Sequence, residues 1–222
     1  MRYIFFLLMF FNITAFAKVT NSLDAGITYA TGNNYLLGVH LEEKFSIYNN
    51  RHRFDTSSFF IYNHKKYSDN VIKIEGNIKY GKLWGMHKLF MGVGYLRYTN
   101  KYDHRLKVDL GYGHQLFGEV LGVELGSTYI LEDFNITKSS FHYRGSIQLN
   151  VDPVPNISIF FRGQGLLNVR DLNDYRFDFI TGFKLYFAKP FSYKISYKIE
   201  YYNLAPIFKT DRILLSSVSW NF

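Results

Sequence analysis

The sequence predicts an all-β fold: a transmembrane, antiparallel, up-and-down β-barrel of about 12 strands. Three observations carry this. Apolar and polar residues alternate with period two along nearly the whole chain. The alternating runs are long, near the roughly 9–11 residues of a tilted membrane strand and well above the roughly 5–6 of soluble strands. The last run, Asp211 to Phe222, puts Leu214, Val218, Trp220 and Phe222 on one face and Asp211, Ser217, Ser219 and Asn221 on the other.

The elements follow in order. Ser22 to Ala30 is a short first strand. Tyr35 to Ile47 sets Leu37, Val39, Leu41, Phe45 and Ile47 on one face. Phe54 to Asn63 follows, then Val71 to Lys82, with Ile72, Ile74 and Ile78 opposite Lys73, Glu75 and Lys79. Lys88 to Tyr98 carries Leu89, Met91, Val93 and Tyr95. Asp103 to Gly113 sets Leu106, Val108 and Leu110 against Arg105, Lys107 and Asp109. Glu119 to Leu131 carries Leu121, Val123, Leu125 and Tyr129. In the second half, Ser140 to Asn150, Ile157 to Asn168, Tyr175 to Phe187 and Phe191 to Tyr202 alternate as plainly, before the terminal strand.

Connections alternate between tight and longer. Tight ones are expected at Asn49-Asn50, Leu83-Trp84-Gly85, Phe117-Gly118, Asp152-Pro153 and Lys189-Pro190. Longer, more polar ones are expected at His64 to Asn70, Glu132 to Ser139, Asn168 to Asp174 and Asn203 to Phe208. Short inner turns and longer external loops are the outer-membrane pattern. Prolines are expected only in connections, where a missing ladder donor costs nothing. A secreted β-sandwich is the competing fold, but it would have to fit all these aromatic stripes into one core.

Both ends agree on the compartment. Met1-Arg2, an apolar stretch from Tyr3 to Phe16 and the Ala15-Phe16-Ala17 site predict a signal peptide over 1–17 and a barrel over 18–222. The stretch is too short for the roughly 20 residues of a membrane helix. The terminal strand looks like the C-terminal signal read by the barrel assembly machinery, with Val218, Trp220 and Phe222 as the residues read. A monomer of the cell outer membrane, in contact with its lipid, is therefore expected.

Cysteine is absent, which excludes a lipoprotein anchor, disulfides and thiolate metal sites. The net charge of +8 suggests anionic partners without saying which; small anions are expected, and no nucleic acid. The basic residues of the polar faces include Arg144, Arg162, Arg176, Lys184, Lys194 and Lys198, on neighbouring strands of the second half. They predict a basic track along one wall, with Asp178 and Glu200 too few to neutralise it. Two readings stand: a narrow, anion-preferring lumen, or a lumen plugged by salt bridges.

No enzyme and no cofactor is expected. The seven histidines show no metal-ligand spacing on one element, and no His-x-Ser pair occurs of the kind that marks outer-membrane lipid hydrolases. The glycine pairs Gly92/Gly94, Gly111/Gly113 and Gly163/Gly165 lie inside strand patterns. They read as room for a neighbouring ring rather than as phosphate loops.

The segment Leu23-Asp24-Ala25-Gly26-Ile27-Thr28-Tyr29-Ala30-Thr31-Gly32-Asn33-Asn34, the later Arg51-His52-Arg53-Phe54, and the stretches Tyr102-Asp103-His104-Arg105-Leu106 and Gly111-Tyr112-Gly113 resemble the YdiY-like family of salt-induced outer-membrane proteins. The resemblance spans most of the chain. It implies fold and location and leaves activity open. Strand count and charge are also similar to the small 12-stranded porins for acidic oligosaccharides.

Overall fold

The computed structural model describes residues 18–31, 36–64, 70–99, 102–117, 120–134, 136–204 and 209–221. The expected signal peptide, Phe222, and most of the His64–Asn70 and Asn203–Phe208 connections lie outside these residues. The strands run β1 Lys18–Thr31, β2 Leu36–Tyr48, β3 His52–His64, β4 Val71–Trp84, β5 His87–Tyr98, β6 Tyr102–Leu116, β7 Leu121–Phe134, β8 Ile136–Val154, β9 Ile157–Asn168, β10 Tyr175–Ala188, β11 Phe191–Tyr202 and β12 Thr210–Asn221.

Each strand pairs antiparallel with its sequence neighbours, and β12 pairs with β1 to close the barrel. The closing register runs from Ser22 opposite Asn221 to Thr31 opposite Arg212. Closure leaves no strand with unpaired backbone groups at an edge, which a lipid core demands. Lys18 and Asn221 share one end, called proximal below; the other is distal.

The period-two pattern puts the apolar stripe outside. Leu110 is 63 % exposed and Leu125 64 %. Val218 and Trp220 also face outward. Histidine, tyrosine and tryptophan collect where the stripe ends. His52 Nδ1 lies 2.6 Å from the Tyr80 hydroxyl, and Phe191 stacks on Trp220, at the proximal end. Tyr95 bonds His104 at 2.7 Å, and Tyr175 stacks on Tyr201, at the distal end. Amphipathic rings of this kind suit the two headgroup levels of a bilayer.

Two connections differ from expectation. Residues 132–134 and 136–139 continue the paired ribbon, with Glu132 opposite Lys138 and Phe134 opposite Ile136. Its Ile and Thr residues favour extended backbone, so pairing outlasts the polar signal. At the proximal end, β8 runs through Asp152-Pro153 to Val154, and the tight turn falls at Pro155-Asn156. The β8–β9 register slips between Val151 and Val154. That irregularity accommodates Pro153, which has no N–H for the ladder.

The inner face is not purely polar. Phe90, Ile130, Ile61 and Val71 are buried inside, as are Ile213 and Leu215 of β12. Phe90 lies across the facing glycines Gly111 and Gly126; a Cβ on Gly111 would stand 2.6 Å from its ring. The expected ring-sized space beside a glycine pair is therefore present.

Candidate functional site: the charged lumen

Every residue of the expected basic track lies on the inner face. The registers set Arg144 and Arg176 on either side of Leu166, Arg162 beside Ile180 and Lys198, and Lys184 beside Lys194. The track is not an unpaired wall. Carboxylates reach it from neighbouring strands and from across the barrel.

Glu124 of β7 gathers three cations. Lys79 Nζ donates to it at 2.6 Å, Lys88 Nζ at 2.6 Å and Arg144 Nη2 at 3.0 Å. The same cations surround one face-bearing ring: Phe90 has Lys79 at 4.1 Å, Arg144 at 5.0 Å and Lys88 at 5.6 Å from its centroid. The aromatic quadrupole offsets part of their mutual repulsion. One carboxylate still leaves this cluster with a positive excess.

At the distal end Glu132 binds both Arg105, at 2.5 Å, and Arg176. The Arg176 guanidinium also lies over the Tyr202 ring at 4.1 Å. Asp174, in the β9–β10 connection, accepts from Asn168 at 2.9 Å and stands 3.4 Å from the fully buried His142. Burial works against ionisation of Asp174. The contact with His142, the Asn168 amide and the charge of Arg176 outweigh it and hold its carboxyl at about 2.

Two further groups link strands that are not direct neighbours. Lys73 of β4 meets Glu200 of β11, and Lys198 joins Glu200 at 2.6 Å. Lys194 donates to Asp24 at 2.6 Å and to Glu42 at 2.7 Å, and Glu42 also pairs with Lys44. Lys184 donates to the Asn221 side-chain amide oxygen at 2.7 Å.

Arg162 is different. Among the described residues it has no carboxylate partner. It remains exposed although it faces inward, as do Gln148 and Asp178 on the adjoining strands. Water-accessible space therefore borders the β8–β10 wall, while the wall formed by β11, β12 and β1 is sealed by Ser192, Ser196, Ser217, Ser219 and Thr28.

Sequence reasoning missed three members of these clusters. Asp24 fell in a strand read as short, Glu132 in a presumed loop, and Lys88 at the first residue of a strand. Strict period-two counting through the full strand lengths places all three inside.

Residues 23–220 match a family described as "Protein of unknown function, DUF481". The chain belongs to this family. The resemblance to the YdiY-like outer-membrane proteins is thereby borne out at the level of the family. No curated protein matches the DUF481 chain. Among solved structures it is similar to the NanC porin, with a TM-score of 0.61, 10 % identity, and coverage of 89 % of this chain and 98 % of that one. It is also similar to the KdgM porin, with a TM-score of 0.53, 12 % identity, and coverage of 90 % and 99 %. The translocator domain of the autotransporter NalP from Neisseria meningitidis gives a TM-score of 0.53 at 12 % identity, covering 93 % and 88 %. At such identities the likeness is one of fold: this DUF481 chain has an outer-membrane, porin-like barrel fold.

Proposed function

We propose that this chain is a monomeric outer-membrane channel of narrow bore whose lumen favours small anions. The observation that carries the reading is the positive excess inside: three cations share Glu124, and Arg162 faces open space without a carboxylate. Fixed charge lining a bore sets the sign of the ion it admits. Planar-bilayer conductance with a reversal-potential measurement under a salt gradient tests it. A unit charge acting over about 8 Å of watery bore is worth about 0.5 kcal/mol, with opposite sign for anion and cation, so one added or removed charge changes their permeability ratio about fivefold. Glu124→Gln is expected to raise the anion-to-cation ratio by that factor, and Arg162→Glu, a change of two charges, to lower it about thirtyfold. A cation-selective parent would refute the reading.

A second reading is a structural barrel with a plugged lumen. The transverse Lys73–Glu200 pair and the near-complete burial of Lys73, Arg176 and His142 favour it. The same bilayer experiment separates the two, because a plug gives no conductance steps.

A non-catalytic role is part of the proposal. His52, His87 and His104 bond tyrosines, and His142 stands against Asp174. Among the described residues none of these four imidazoles is bonded to a serine. In the proposed topology the proximal end faces the periplasm. A tag inserted at Leu172, in the exposed β9–β10 connection, is expected to label on intact cells, and one at Asn50 only after permeabilisation. The reverse pattern would invert the topology.

A further inference from the structure

Outside the lumen, the outer face of the proximal end carries a polar cluster that conduction does not use. His87 and His114 are direct cross-strand partners on β5 and β6. Both rings turn outward, with Tyr112 two residues from His114 on the same face. The two Nδ1 atoms stand 3.2 Å apart, and the Tyr112 hydroxyl is in contact with His87 Nδ1. Trp84 stacks on the His87 ring at 6.2 Å between centroids and flanks Tyr112 at 6.5 Å.

Protons satisfy this arrangement poorly. A neutral imidazole Nδ1 holds either one N–H or one lone pair. His87 Nδ1 faces two partners, the phenol oxygen and the second Nδ1, and a single position cannot serve both with full hydrogen bonds. Instead, the second Nδ1 and the phenol oxygen both close on His87 Nδ1, so two nitrogens and one oxygen with lone pairs to donate are gathered there. Two nitrogens bound at about 2.05 Å to a tetrahedral Zn²⁺ lie about 3.3 Å apart, the spacing found here.

We propose that His87, His114 and Tyr112 form a Zn²⁺ site on the outer rim of the barrel. The two histidines bind through Nδ1 and the phenol supplies an oxygen. The outward position is left to water or to a lipid phosphate oxygen. The antiparallel register fixes both imidazoles on rigid strands, so little ordering is needed on binding. Among the described residues no group of three or more His, Asp or Glu is gathered for a metal, so the lumen offers no competing cluster of that kind.

The test is Zn²⁺ titration by calorimetry into the untagged, chelator-treated full barrel in detergent. One equivalent is expected to bind saturably. His87→Ala and His114→Ala should abolish that binding, and Tyr112→Phe should weaken it about tenfold. His52→Ala, in the separate His52–Tyr80 pair, should bind as the parent does. Lack of saturable binding in the parent, or unchanged binding in His114→Ala, would overturn the site. Should the alanine variants fail to fold, Cu²⁺ paramagnetic resonance on the parent decides it. Hyperfine coupling to two imidazole nitrogens is expected, and coupling to one or none refutes the pair. Repeating the titration in vesicles with phosphatidylglycerol and in detergent alone separates a phosphate fourth ligand, which tightens binding in vesicles, from water, which leaves it unchanged.

Discussion

Replacing Lys194 by methionine is expected to destabilise the barrel by about 3–5 kcal/mol, the usual consequence of leaving a buried charge uncompensated. The Lys194 side chain is 8 % exposed and neutralises Asp24, itself 4 % exposed, together with Glu42. Glu42 keeps a second cation, Lys44, at 2.7 Å. Asp24 keeps none among the described ion pairs, and one of its oxygens already lacks a hydrogen bond. The loss therefore falls on Asp24. It follows that Asp24→Asn, added to Lys194→Met, should recover most of the stability, whereas Glu42→Gln added to Lys194→Met should recover little. The measurement is the urea midpoint for unfolding from lipid vesicles, followed by the heat-modifiable band on gels. Equal rescue by the two second substitutions would show that the triad is not wired as the distances indicate.

Gly126→Val is expected to cost about 3 kcal/mol, at the upper end of ordinary overpacking. A Cβ on Gly126 would stand 2.2 Å from the carbonyl oxygen of Leu110 and 2.7 Å from the Cα of Gly111. Both are backbone atoms of the neighbouring strand, so a side-chain rotation cannot relieve the contact. The β6–β7 spacing would have to open where Phe90 packs, and Phe90 is the surface on which Lys79, Lys88 and Arg144 converge. Gly122→Val, on the same strand and face, meets nothing within 4 Å and should change stability by less than about 0.5 kcal/mol. Comparable unfolding midpoints for the two variants would contradict the packing. A folded Gly126→Val barrel should also show altered conductance, because its cation cluster has lost the platform.

The two substitutions differ in what the sequence alone could say about them. That Lys194 faces inward was legible, because Tyr193, Ile195 and Tyr197 alternate with Ser192, Lys194 and Ser196. That its partners are Asp24 and Glu42 was not, since they lie at the other end of the chain and meet β11 only because β12 closes onto β1. The Gly111/Gly113 pair was readable as space for a ring, but not that Phe90 fills the space beside Gly111, which depends on the β5–β6 register. The basic wall was legible too, but not what meets it: Glu124 stands on the strand beside Arg144, Glu132 reaches Arg176 from three strands away, and Asp24 meets Lys194 across β12.

The sequence by itself determined the class of fold, the near-dozen strands and which side of each strand faces outward. A period of two is a local property, fixed by the pleat wherever the backbone is extended. The tertiary structure decided the rest: the turn at Pro155-Asn156, the ribbon continued by Glu132 and Lys138, the Lys73–Glu200 pair across the bore, and the meeting of His87 with His114. Each depends on register and closure, which set the height at which rows of side chains face one another around the barrel. Alternation says which face a residue takes, and it carries no term for what that residue finds there.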